Sequence, residues 1–209
     1  MSDSSFSRAS EIAWEEYYRA TEGRRARPLF REALAFVGSR RSDDQTIVAV
    51  DLGCGDGTET LAMLARGWTV VAIDAAPEAI ARLRASVVPE DAVRLTTHIA
   101  PFQELDLPRA DFVYAGLSLP FCAPSDFVEV WRRVAAALHP DGLFAGHFFG
   151  PHDSWATIPD MTFQTREELD VLFEGFDVHR LVEEDEDGVA VSGPKHWHVF
   201  HVVASSRET

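Results

Sequence analysis

The chain is poor in cysteine, in positive charge and in long apolar runs. It has two cysteines, Cys54 and Cys122, among 209 residues. Two such residues build neither a disulfide framework nor a metal-ligand pattern. No apolar stretch approaches the roughly 18 residues that a membrane-crossing helix needs. The opening "MSDSSFSRASEIAWEEYY" lacks the basic segment followed by an apolar one that marks a secretory signal. Nineteen Lys and Arg stand against thirty-four Asp and Glu, for a net charge of −15. A chain of that charge repels a phosphate backbone unless basic residues are concentrated somewhere, and the densest positive stretch, "GRRARP" (23–28), is short. There are no internal repeats and no Pro/Gly/Ser tract of linker type. These absences lead to the expectation of a reduced, cytoplasmic protein that takes neither nucleic acid nor a membrane as partner. They set no oligomeric state.

What is present is a globular composition. Hydrophobic residues make up 46% of the chain, enough for a full core, and the length suits one domain with small additions. The first forty residues carry Trp14, Tyr17, Tyr18, Phe30, Leu34 and Val37 at helical spacing, with Pro28 suited to the first turn of a second helix. Strand-like and helical stretches then alternate. "TIVAVDL" (46–52), "WTVVAID" (68–74), "AVRLTTHI" (92–99), "ADFVYAGL" (110–117) and "LFAGHFFG" (143–150) read as strands. Helices are expected after the first two, from Pro77 onward in the second case. A further helix is expected with Ser125 as its cap, and another behind the capping box of Thr165 and Glu168. "HPDG" (139–142) reads as a turn and the acidic "EEDEDG" (183–188) as a solvated loop. "FDVHRLVEE" and "HWHVFHVVAS" close the chain as two strands with no helix between them. The expected fold is α/β: a Rossmann-like, seven-stranded, mostly parallel sheet with helices on both faces and a C-terminal antiparallel hairpin.

The stretch "VAVDLGCGDGTET" (48–60) carries the chemistry. In an open α/β sheet the ligand sits beyond the carboxyl ends of the strands, and glycines let it touch the backbone. The spacing is G-x-G-x-G at Gly53, Gly55 and Gly57, with the third glycine one place early for a dinucleotide G-x-G-x-x-G. Asp51 stands before the turn. A carboxylate there opposes a pyrophosphate and suits a ligand bearing an ammonium and a sulfonium. Asp74, at the end of the second strand, can accept hydrogen bonds from a ribose diol.

The stretch "VDLGCGDGTETLAMLARGWTVVAIDAAPEAI" resembles the cofactor motif of class I S-adenosylmethionine-dependent methyltransferases. The resemblance extends over nearly the whole chain and is nearest to small, single-domain, tellurite-resistance-type and related small-molecule methyltransferases. It implies S-adenosylmethionine as cofactor. Gly53, Cys54 and Gly55 would line its methionine part, with Asp51 beneath them. Asp74 would take the ribose hydroxyls, Ala75 would pack on the adenine, and Phe102 in "HIAPFQE" would give the adenine an apolar face. Leu117 would stand where the cofactor meets the substrate. The implied domain division is a helical cap or lid over 1–42 and a cofactor-binding domain over 43–209.

The sulfonium already carries an activated methyl group, so the enzyme chiefly aligns an in-line attack and excludes water. A general base is needed only for a protonated nucleophile. His147, in the fifth strand, and His196, in "KHWHVFH", are the candidate catalytic side chains, and no metal ion is expected. His152 with Asp153 offers a further pairing. Tyr18, Arg25 and Phe121 are the candidates for contact with the acceptor, expected to be a small molecule. Two other readings stay open at this stage: a nucleotide-binding oxidoreductase, and a non-catalytic module that binds the cofactor.

Overall fold

The computed structural model describes residues 14–38 and 46–207. Its elements run α1 (Trp14–Ala20), α2 (Pro28–Gly38), β1 (Val48–Leu52), α3 (Thr58–Leu64), β2 (Thr69–Asp74), α4 (Pro77–Ser86), α5 (Pro89–Ala92), β3 (Leu95–Ile99), β4 (Ala110–Ala115), α6 (Pro124–Ala137), β5 (Leu138–Phe149), α7 (Arg166–Leu172), β6 (Phe176–Ala190) and β7 (Gly193–Ser206). The seven strands form one sheet in the order β3-β2-β1-β4-β5-β7-β6. The first five are mutually parallel, and β7 pairs antiparallel with both β5 and β6. This is the expected architecture. The boundary drawn after residue 42 lies outside the described residues.

The centre of the sheet follows from the composition of its strands. Every residue of β4 is buried, as are all but the first of β1, because helices cover both faces. Side chains alternate between two cores. Val50, Leu52, Val113 and Ala115 face α6 and α7, where Trp131 packs edge-on against Phe144 and Phe173. Ala49, Phe112 and Tyr114 face α2 and α3, where Phe30 meets Tyr114 with ring centroids 5.1 Å apart. The register pairs Asp51 with Tyr114, so both belong to this second face.

Four local expectations change. The third strand begins at Leu95 because Pro89 starts a one-turn helix through Ala92. Helix α6 starts at Pro124 with Ala123 as N-cap, so Ser125 lies inside it and caps nothing. "HPDG" lies within β5 as an irregularity, with Asp141 at φ 61° and a register shift against β4. The acidic run 183–188 belongs to β6, paired residue by residue with β7. An outermost strand rich in carboxylates is one way a sheet discourages edge-to-edge association. The Thr165–Glu168 capping box forms as expected, with the Glu168 amide donating to Thr165 Oγ1 at 3.2 Å and the Thr165 amide to Glu168 Oε2 at 2.7 Å.

Candidate active site

Strand order reverses between β1 and β4, whose neighbours lead off in opposite directions, and a crevice opens beyond their carboxyl ends. A cavity of about 1000 Å³ lies there. Its floor is the glycine turn. Gly53, Gly55 and Gly57 have φ of 71°, 53° and 81°, in the left-handed region that side-chain-bearing residues seldom adopt. Gly53 has a second constraint, since a Cβ there would overlap Ser118, whose hydroxyl donates to the Leu52 carbonyl and ties the turn to the loop after β4. At Gly55 the ring of Tyr18 passes 3.3 Å from where a Cβ would be.

Two carboxylates organise the floor. Asp74 Oδ2 accepts from the Gly55 amide and Oδ1 from the Ala76 amide, both at 2.9 Å. Each oxygen keeps a lone pair for a further donor. Burial raises its pKa, against the pull of those amides. Asp51 is buried, and Thr60 Oγ1 donates to its Oδ2 at 2.6 Å. Burial, reinforced by Glu59, pushes the Asp51 pKa up to about 7. The cavity is acidic on balance, with six lining carboxylates and two guanidiniums. Arg24 grips Glu59 through both of its terminal nitrogens, at 2.7 and 2.6 Å, and the Arg27 guanidinium donates to the Tyr17 hydroxyl at 2.7 Å.

The far wall is aromatic. Trp14, Tyr17 and Tyr18 project from α1, and Phe121 faces Trp14 with ring centroids 5.0 Å apart. Leu117 lines the junction between the two walls in a left-handed conformation, φ 58°, unusual for a bulky residue and characteristic of a held functional loop. Its amide donates to His147 Nδ1 at 3.2 Å. His147 is buried, and burial together with His201 and Arg27 lowers its pKa well below the usual histidine range, so it is neutral and accepts that bond.

Asp51, Gly53, Cys54, Gly55, Asp74, Ala75, Phe102, Leu117, Tyr18 and Phe121 therefore come together around one cavity. Three candidates do not reach its wall. Arg25 is exposed, and Arg24 and Arg27 line the cavity in its place. His147 sits behind Leu117 as the acceptor that fixes it. His196 stands far along the β6–β7 hairpin, bonded through both ring nitrogens to Asp185 and Asp187 at 2.7 Å. Around it, atoms of His152, Asp185 and His198 fall within 4.8 Å of one another. These groups are already joined by hydrogen bonds. The His152 amide donates to His198 Nδ1 at 3.1 Å, which leaves the proton of a neutral His198 ring on Nε2, facing Glu183 at 2.9 Å. Lining residues that sequence reasoning passed over are Trp14, Arg24, Arg27, Glu59 and Tyr114. The signal for Tyr114 is slight: a phenol near the end of a mostly apolar strand, two residues before Gly116.

The residues suit S-adenosylmethionine: a glycine floor that admits close backbone approach, a buried Asp51 with no guanidinium or ammonium bonded to it among the described residues, and Asp74 with free lone pairs. Comparison with known proteins agrees. Residues 49–142 match the family model described as methyltransferase domain. The magnesium-protoporphyrin O-methyltransferase of Rhodobacter capsulatus is 30% identical over 145 residues, 66% of this chain and 65% of that one. An uncharacterized methyltransferase of Synechocystis is 31% identical over 96 residues, 46% of this chain and 44% of that one. The chain thus spans less than two thirds of the length of the curated relatives it matches. Among solved structures, TehB from Haemophilus influenzae superposes with a TM-score of 0.70 at 14% identity, over 93% of this chain and 67% of that one. The 1,6-didemethyltoxoflavin-N1-methyltransferase of Burkholderia thailandensis, solved with S-adenosylhomocysteine, gives 0.64 at 21% identity, over 96% and 87%. Both likenesses are of fold.

The fold and the glycine turn are those of class I S-adenosylmethionine-dependent methyltransferases. Residues 49–142 of this chain carry the match to a methyltransferase domain, and the cleft at their glycine turn has the chemistry to take S-adenosylmethionine.

Proposed function

We propose that the chain transfers the methyl group of S-adenosylmethionine to a small molecule by direct in-line displacement. The observation that carries this reading is the division of one cavity between a polar floor built for the donor and an aromatic wall left for an acceptor. Its volume, about 1000 Å³, stands at the upper end of the range for small-ligand sites, which suits two ligands side by side. Two relatives named for small-molecule acceptors, a magnesium protoporphyrin and a didemethyltoxoflavin, support the same class of acceptor. The net charge of −15 argues against a nucleic acid.

When bound, S-adenosylmethionine supplies an activated methyl on a sulfonium. Asp74 holds the ribose hydroxyls, and the backbone at Gly53, Cys54 and Gly55 lies along the methionine part. Ala75 and Phe102 flank the adenine. Asp51 and the surplus of acidic groups favour the ligand's positive charges. Leu117, held by His147, sets where donor and acceptor meet, and His147 is thereby a positioning residue. Helix α1 serves as the lid: Trp14, Tyr17 and Tyr18 close over the turn and, with Phe121, keep water from the methyl group and grip an apolar acceptor.

Calorimetric titration with S-adenosylhomocysteine tests the reading. Saturable binding is expected, and no heat at millimolar ligand would sink it. A thermal shift with NAD and none with S-adenosylhomocysteine would reassign the cleft to a nicotinamide enzyme. Binding without turnover across a broad acceptor panel would reduce the protein to a cofactor-binding module.

A further inference from the structure

One side chain in the cavity lacks a partner that its burial demands. Tyr114 is 1% exposed, and its hydroxyl has no hydrogen-bond partner among the described residues. A buried polar group left unpaired costs roughly 1–3 kcal/mol. Such groups are rare in folded proteins and call for an explanation. The residue borders the cavity rather than a sealed core. Its ring is fixed by Phe30 and Phe112, and it lies so close under the end of β4 that a Cβ on Gly116 would stand 2.7 Å from the oxygen. The backbone there has given up a side chain to the phenol.

The surroundings say which ligand atom the hydroxyl meets. Tyr114 is the register partner of Asp51 on the same face of the sheet, so it stands on the Asp51 side of the glycine turn, two strands away from the end of β2 that leads to Ala75. Arg27 also lines the cavity, and among the described residues the Tyr17 hydroxyl takes one of its guanidinium's donors. A neutral O–H donor and an arginine with spare donors suit a carboxylate, while buried Asp51 suits an ammonium. Together they match the zwitterion of an α-amino acid. We propose that the Tyr114 hydroxyl, with Arg27, binds the carboxylate of the donor's amino-acid tail. The inference rests on the methyltransferase reading above.

The test uses two ligands that differ by that tail. S-adenosylhomocysteine has it, and 5′-methylthioadenosine keeps the adenosine and the thioether without it. The variant Tyr114→Phe retains the ring and its packing. It is expected to weaken S-adenosylhomocysteine by about tenfold, the scale of one hydrogen bond to a charged group, and to leave 5′-methylthioadenosine unchanged. Its thermal midpoint is expected to stay level or rise, because the lost hydroxyl had no partner in the free protein. Equal weakening of both ligands, or of neither, overturns the proposal, as does a clear fall in midpoint that would mark a structural hydroxyl. Failure of the wild-type protein to bind S-adenosylhomocysteine would overturn the methyltransferase reading itself, a distinguishable result.

Discussion

Charge is buried in two places, and the protein treats them differently. Near the start of β7, Lys195, the only lysine of the sequence, is buried against Asp153. Its ammonium lies over the rings of Trp197, Trp155 and Phe149, at 4.2, 4.3 and 5.0 Å from their centroids. Asp153 accepts in addition from the amides of Trp155 at 2.9 Å and His198 at 3.3 Å. Ammonium and carboxylate there find each other, and further partners, within the chain. In the cofactor cleft the accounts stay open. Among the described residues Asp51 takes one side-chain hydroxyl, Asp74 two amides, and the Tyr114 hydroxyl nothing. A burial that is fully compensated locks architecture, whereas one left short of partners describes the ligand that completes it.

The largest effect expected from this contrast is on folding. Asp153→Ala would leave the Lys195 ammonium buried without its carboxylate, and loss of one partner of a buried pair costs about 3–5 kcal/mol. Urea unfolding should show that loss, and Lys195→Met added to it should recover much of the stability. A single-variant cost below about 1 kcal/mol would show that the box is not a locked element. In the cleft the balance reverses, because binding carries the effect. Asp74→Ala is expected to weaken S-adenosylhomocysteine by about 1–3 kcal/mol in calorimetry, and unchanged affinity would remove Asp74 from the ribose contact.

The same contrast explains what could be read from the sequence. The turn was legible because its chemistry is local: three glycines, Asp51 and Asp74 act through backbone geometry set within a few residues of each. The mostly parallel sheet followed from the alternation of elements, the terminal hairpin from two strands with no helix between them, and the capping box from two residues three apart. What depended on distant chain was hidden. Arg25 and Arg24 are neighbours in "GRRARP", and only the packing of α1 against the turn turns one toward Glu59 and the other to solvent. The acidic run 183–188 looked like a loop because charge disfavours burial, yet an edge strand needs burial on neither side. There its carboxylates find the histidines of β7, Asp185 against His196 and Glu183 against His198. Tyr114 carries only a slight sequence signal, since the absence of a partner is a property of the folded site.

Asp51 gives the next smaller effect, one whose sign separates ligand site from scaffold. Its pKa stands near 7 in the free protein, above the ordinary carboxylate value of 3.8. Its contribution to folding is therefore fully present below 3.8 and is lost as pH rises through about 7, so the free protein should be less stable at pH 8 than at pH 6. Ligand binding should run the other way. The donor's ammonium favours ionised Asp51, and at pH 6 most molecules must release a proton to bind. Affinity for S-adenosylhomocysteine should rise about tenfold from pH 6 to pH 8, with proton release visible in buffers of different ionisation enthalpy. Asp51→Asn should flatten both trends. Parallel trends in stability and affinity would mean that Asp51 holds the turn and never meets the ammonium.

The smallest effect is expected at His196, the candidate that the hairpin carries away from the cleft. Its bonds to Asp185 and Asp187 are exposed, and exposed ion pairs contribute on the order of 0–1 kcal/mol. His196→Gln should therefore shift the urea midpoint only slightly and leave S-adenosylhomocysteine affinity as it is. With a methyl acceptor in hand, its turnover should also match the wild type, because no group of the hairpin's histidine ladder lines the cavity. A fall in turnover with unchanged cofactor affinity would overturn that view. It would require the hairpin to fold over the acceptor, which would make Asp185 and Asp187 the next residues to replace.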